Sequence, residues 1–131
     1  TRRGLLDTIQ SYRDLRVWQA SMDLAAACYE IARRLPREEL FGLSAQLRRA
    51  AVSVPANIAE GWGRDNTGDY RHALRIAQGS VKEVETHLLL AVRVGMLAEN
   101  DTHQPLALAD DVGRMLRALI RSLDANPRST R

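Results

Sequence analysis

The chain has little of what usually announces chemistry. Cys28 is its one cysteine, which excludes an internal disulfide and points to a reducing, cytoplasmic setting. No apolar run approaches the ~18 residues needed to cross a bilayer, so no membrane partner is expected. Residues 1–7, TRRGLLD, do not develop the apolar stretch of a secretory signal. Aromatics number six, and lysine is represented by Lys82 alone. A glycine-rich phosphate loop is missing too: Gly61 and Gly63 follow a helical pattern, whereas such a loop precedes a helix and carries a lysine. What the chain does have is arginine, 18 residues of it, the better side chain for forked contacts with phosphate and carboxylate. Alanine also numbers 18, and GC-rich codons favour both residues, so composition leaves a functional and a genomic reading open.

The 45% apolar share and net charge of +3 exclude a disordered chain, and 131 residues fit one domain, 1–131, around one core. No segment alternates with a period of two; four segments follow the helical period instead. The first helix is expected over about 15–35, with Met22, Ala25, Cys28, Ile31, Ala32 and Leu35 facing inward and Pro36 ending it. The second runs over about 38–62 on a stripe of Leu40, Leu43, Leu47, Ala50, Val54 and Ile58, with a kink at Pro55. The third, about 67–97, follows the capping residues Asp65-Asn66-Thr67. Its seam is Tyr70, Leu74, Ala77, Val81, Val84, Leu88 and Ala91. The fourth, about 105–123, carries Leu108, Val112, Met115, Leu119 and Leu123, and a polar tail occupies 124–131. Short loops between long amphipathic helices predict an all-α, antiparallel up-down-up-down four-helix bundle.

The second helix is apolar beyond one stripe. Ala45, Val52, Ala56, Ala59 and Gly63 form another small-residue face, and a polar line of Arg49, Ser53, Asn57, Glu60 and Arg64 fills much of the rest. A helix apolar on two sides is usually buried on two sides, so a second subunit is expected against it; the bland reading is that alanine simply favours helix.

Residues 46–61, QLRRAAVSVPANIAEG, together with 14–19, DLRVWQ, and 76–83, IAQGSVKE, resemble a bacterial four-helix-bundle family. Its members are the proteins encoded in intervening sequences of large-subunit ribosomal RNA genes. The family extends to the accessory variability determinant of diversity-generating retroelements. The resemblance spans roughly residues 12–97 and implies a ring-like homo-oligomer, typically a homopentamer. For the retroelement branch it also implies nucleic-acid binding through a basic surface, with a reverse transcriptase as partner.

Ser53, Asn57 and Glu60 could form a site with Glu60 as acid or base, but no histidine stands on that helix to activate a nucleophile. A structural polar network is the favoured reading. If the second and third helices fold back at Asp65-Asn66, residues whose numbers sum to about 131 face each other. Arg49 then meets Glu83, and Glu60 meets Arg71. Metal binding has only two half-sites behind it, Asp69 with His72 and Glu83 with His87, while His103 lies in a loop. No metal or other cofactor is expected. Cys28 reads as a small core side chain, and Trp18 and Trp62 as residues that close a core or interface.

Folding redistributes the charge. One end of the bundle would gather eleven arginines (2, 3, 13, 16, 64, 71, 75, 117, 121, 128 and 131) against Asp7, Asp14, Asp65, Asp69 and Asp124. Helix-dipole complementarity accounts for late arginines on the fourth helix, yet not for Arg71 and Arg75 at the positive start of the third. The expected function is therefore a non-enzymatic homo-oligomer that binds RNA or DNA backbone through Arg13, Arg16, Arg64, Arg71, Arg75, Arg117 and Arg121. The alternative is a scaffold that docks an acidic protein partner without nucleic acid.

Overall fold

Four α-helices account for most of residues 9–125, the part of the chain that the computed structural model describes. α1 spans Arg16–Ala32, α2 Leu43–Trp62, α3 Thr67–Arg93 and α4 His103–Ala125, with 3-10 turns at Tyr12–Asp14, Arg37–Glu39 and Glu99–Thr102. No strand occurs among the described residues, and the architecture is an all-α four-helix bundle.

Local chemistry sets the boundaries. Asn66 caps α3 by accepting the Asp69 amide on Oδ1 at 2.7 Å. The far end of α3 closes on Gly95, whose φ of +82° is open to glycine at little steric cost. From there the Met96 amide donates to the Ala91 carbonyl at 2.8 Å and the Gly95 amide to Val92 at 3.0 Å. That turn stops α3 at Arg93, short of the expected 97. α1 likewise ends at Ala32 rather than 35, because the Arg34 and Leu35 amides tighten onto Ile31 and Ala32 before Pro36. α2 begins at Leu43 rather than 38, after the Arg37–Glu39 turn. α4 begins at His103, with Pro105 in its first turn, where no amide partner is lost. It also continues through Asp124 and Ala125, which were expected in the tail; 126–131 lie outside the described residues. Pro55 sits buried inside an unbroken α2.

Each helix packs on its sequence neighbours, and α1 also packs on α4. The α3 seam is buried at all seven expected positions. Two stripes depart from expectation in part. On α1 and just after it, Ala25, Cys28, Ile31, Ala32 and Leu35 are buried as expected and Val17, Ser21 and Leu24 join them, while Met22 is 45% exposed. On α4 the core is made by Ala109, Val112, Leu116, Ile120 and Leu123; Leu108, Met115 and Leu119 flank it half-buried. Leu40, expected inside, is exposed beyond the start of α2.

Gly61 is where α2 and α3 come closest. A Cβ built there would stand 2.8 Å from Ala73 Cβ and 3.0 Å from Tyr70 Cδ1.

Cys28 is fully buried, and burial pushes its thiol up from 9.0 to about 12. At pH 8 its reaction with a disulfide reagent should run about a thousandfold slower than in the unfolded chain, since the thiolate is the nucleophile. Labelling native and denaturant-unfolded protein side by side measures this; equal rates would place Cys28 outside the core.

Candidate functional site

The arginine-rich end is assembled from all four helices. Arg71, near the start of α3, pairs with Asp124 in the last turn of α4 at 3.2 Å. Leu15, Arg16 and Val17 at the start of α1 share a cleft with Met115, Ala118 and Leu119 of α4. The end of α2 joins through Trp62, whose ring meets Tyr70 edge-on at 6.3 Å. Trp18 is similarly half-buried, with its ring 5.3 Å from that of Tyr12. Both tryptophans thus pack against the core, as expected. The structure therefore brings Arg13, Arg16, Arg64, Arg71, Arg75, Arg117 and Arg121 to one end. Arg2, Arg3, Asp7, Arg128 and Arg131 of the expected tally lie outside the described residues.

The arginines differ in what already holds them. The Arg13 guanidinium lies 5.7 Å from the Tyr12 ring centroid. Arg64 pairs with Glu60 at 3.0 Å on an exposed surface, a contact of small energetic consequence. Arg71 is half-buried beside Asp124. Arg16, Arg75, Arg117 and Arg121 make no ion pair among the described residues, and all four are exposed. Met115 and Leu119 border α1, so Arg117 and Arg121 fall on the other side of α4, toward α3 and its Arg71–Arg75 ridge.

The acids at this end are largely committed. Asp14 Oδ2 accepts the Gln10 and Ser11 amides at 2.9 and 3.3 Å. Asp69 accepts from Asn66 Nδ2 at 3.1 Å, and Asp124 is taken by Arg71. Away from this end, ion pairing claims Arg33 with Glu30, Arg34 with Asp101, and Arg114 with Asp110 and Asp111.

The expected polar network is corrected in its membership. Ser80 Oγ donates to Ser53 Oγ at 2.7 Å, and Asn57 Nδ2 donates to the Ser53 carbonyl and hydroxyl at 2.8 and 3.0 Å. Arg49 instead donates to Gln46 at 3.0 Å, Glu60 pairs with Arg64 just past the end of α2, and Glu83 is exposed. Neither Arg49–Glu83 nor Glu60–Arg71 forms. The reason is register. Ser53 and Ser80 sum to 133, not 131. A helical side chain covers the surface about one residue N-terminal to its own Cα, and in an antiparallel pair both offsets add. Ser80 was missed for the same reason, although a serine three residues after Ala77 on an otherwise apolar seam was visible. Among the described residues no three His, Cys, Asp or Glu side chains gather as metal ligands. Of the second face on α2, Val52, Ala56 and Gly63 are exposed, and Ala45 and Ala59 are half-buried.

Residues 13–118 match the family described as 23S rRNA-intervening sequence protein. The chain belongs to this family. A crystal structure of a protein of unknown function from the S23 ribosomal protein family of Bacteroides thetaiotaomicron has the same fold. It aligns with a TM-score of 0.75 at 24% identity, over 80% of this chain and 98% of that one. No curated protein matches the chain. Among the described residues of this family member, no helix is long and apolar enough to cross a membrane. The match covers Arg13, Arg16, Arg64, Arg71, Arg75 and Arg117 and stops three residues short of Arg121.

Proposed function

We propose that this intervening-sequence family member is a non-enzymatic homo-oligomer that holds RNA or DNA by its phosphate backbone at the arginine-rich end. One observation carries the reading: Arg16, Arg75, Arg117 and Arg121 are exposed and unpaired among the described residues, while Asp14, Asp69 and Asp124 beside them are occupied. Such a surface offers charge to an outside anion and little sequence readout. Arg13, Arg64 and Arg71 complete the contact set, each at the cost of loosening a weak contact it already makes. The uncovered Val52 and Ala56 face of α2 supports self-association, and a ring would bring several arginine-rich ends together and focus their field. Native mass spectrometry gives the number of subunits, with five the number to test. Filter binding of mixed RNA and DNA across a salt series, for the protein and for the triple variant Arg75→Glu, Arg117→Glu, Arg121→Glu, tests the site.

The alternative partner is an acidic protein. The cleft of about 350 Å³ between Leu15, Val17, Met115 and Leu119, with Arg16 at its edge, suits an apolar anchor flanked by carboxylates. Co-purification with and without nuclease separates the readings: partners that survive nuclease treatment favour the scaffold.

A further inference from the structure

A second cleft lies at the opposite end of the bundle, between the end of α1 and the start of α2. It has a volume of about 390 Å³, within the range of small-molecule sites. Three arginines, Arg33, Arg37 and Arg48, line it together with Tyr29, Leu40 and Ser44.

Ser44 is the informative residue. Four polar side chains are buried among the described residues: Ser21, Ser44, Ser80 and Thr102. Ser21, Ser80 and Thr102 each donate a hydrogen bond of 2.7 Å. Ser44 is only 4% exposed, lines the cleft, and makes no side-chain hydrogen bond among the described residues. Its own amide, in the first turn of the 20-residue α2, also finds no backbone acceptor. The Ser44 hydroxyl opens on the cleft and has no protein partner to give up among the described residues, so an acceptor entering the cleft meets a free donor.

The surrounding charge selects the acceptor. Arg48 gives one hydrogen bond, to the Leu40 carbonyl at 3.3 Å, which leaves most of its donors unused. Arg37 has no ion pair among the described residues. Of the acids nearby, Glu30 is engaged with Arg33 and Glu39 with the Leu43 amide at 2.9 Å, while Glu38 is exposed and does not line the cleft. Tyr29 and Leu40, 42% and 44% exposed, supply an apolar wall.

We infer that this cleft binds a small organic phosphate with a flat apolar body, a mononucleotide in type. The phosphate meets Arg37, Arg48, and the hydroxyl and amide of Ser44 at the positive start of α2. The flat body lies on Tyr29 and Leu40. This site is separate from the arginine-rich end and does not depend on it.

Calorimetric titration with adenosine 5′-monophosphate tests the assignment, with adenosine and inorganic phosphate as comparison probes. The monophosphate should bind in the millimolar range or tighter, and at least tenfold better than either fragment. Ser44→Ala and Arg37→Glu should each weaken it about tenfold or more, while the Arg75, Arg117, Arg121 triple variant leaves it unchanged. Ser44→Ala removes one atom from a cleft wall, so it serves if Arg37→Glu perturbs folding. Three outcomes overturn the site: no binding at millimolar concentration, equal binding of inorganic phosphate, or loss of binding in the triple variant with retention in Arg37→Glu.

Discussion

Replacing Arg75, Arg117 and Arg121 together by glutamate should weaken nucleic-acid binding about 10²–10³-fold near 0.1 M salt. The estimate follows from counterion release, in which each neutralised phosphate adds about 0.9 to the slope of log affinity against log salt. Three lost contacts remove roughly 2.7 from that slope, which at 0.1 M is a factor of several hundred. All three side chains are exposed and lack ion pairs among the described residues, so the fold should survive; circular dichroism checks this. Arg49 and Arg93, exposed away from this end, provide the comparison. Their joint reversal should cost far less. Equal losses from both sets, or a triple variant whose salt slope is unchanged, would refute a localised surface.

Gly61→Leu should destabilise the bundle by about 3 kcal/mol, a fall in Tm of roughly 10 °C for a chain of this size. The first atom of any side chain at this position already meets Ala73 Cβ at 2.8 Å, with the Tyr70 carbonyl at 3.3 Å behind it. A leucine must wedge α2 from α3 along their shared seam. Gly61→Ala is a more delicate case, because alanine gains about 1 kcal/mol in helix propensity while its Cβ displaces Ala73. Adding Ala73→Gly should relieve that contact, so the two changes should couple by at least ~0.5 kcal/mol in a thermal-melt cycle. Gly79 supplies the opposite sign. It lies exposed in α3 with nothing within 4 Å of a built Cβ, and Gly79→Ala should stabilise by about 0.5–1 kcal/mol. If Gly61→Leu melts like the parent, the close approach of the two helices is wrong.

The seam of α3 was fully legible because Tyr70 through Ala91 repeats by four and three with mostly polar residues between. On α1, Ala25, Cys28, Ile31, Ala32 and Leu35 were legible too, and only the N-terminal part of the line was not. Ala25, Ala26 and Ala27 offer apolar positions all round the helix, so the inward line could be drawn through Met22 instead of Leu24. On α4, Leu108, Met115 and Leu119 form a line as convincing as that of Ala109, Leu116 and Ile120. Only contact with α1 shows that the former flanks the core. Placement of the arginines at one end followed from helix order alone. Their pairing did not, since Arg71 finds its acid on α4, across a distance in sequence that no local pattern spans. The Ser44 cleft was invisible to sequence because its arginines come from the end of α1, the following turn and α2.

The caps at the arginine-rich end do more than start helices. Asp14 is held by backbone amides and Asp69 sits at the head of α3, where the peptide dipoles already balance a negative charge. Unfolding releases both carboxylates to any arginine nearby in the chain. The folded state thus keeps apart charges that the coil would let mix, and the arginine-rich surface is a property of tertiary structure. Under the proposed function, a partly melted chain should release a polyanion before it loses its helices.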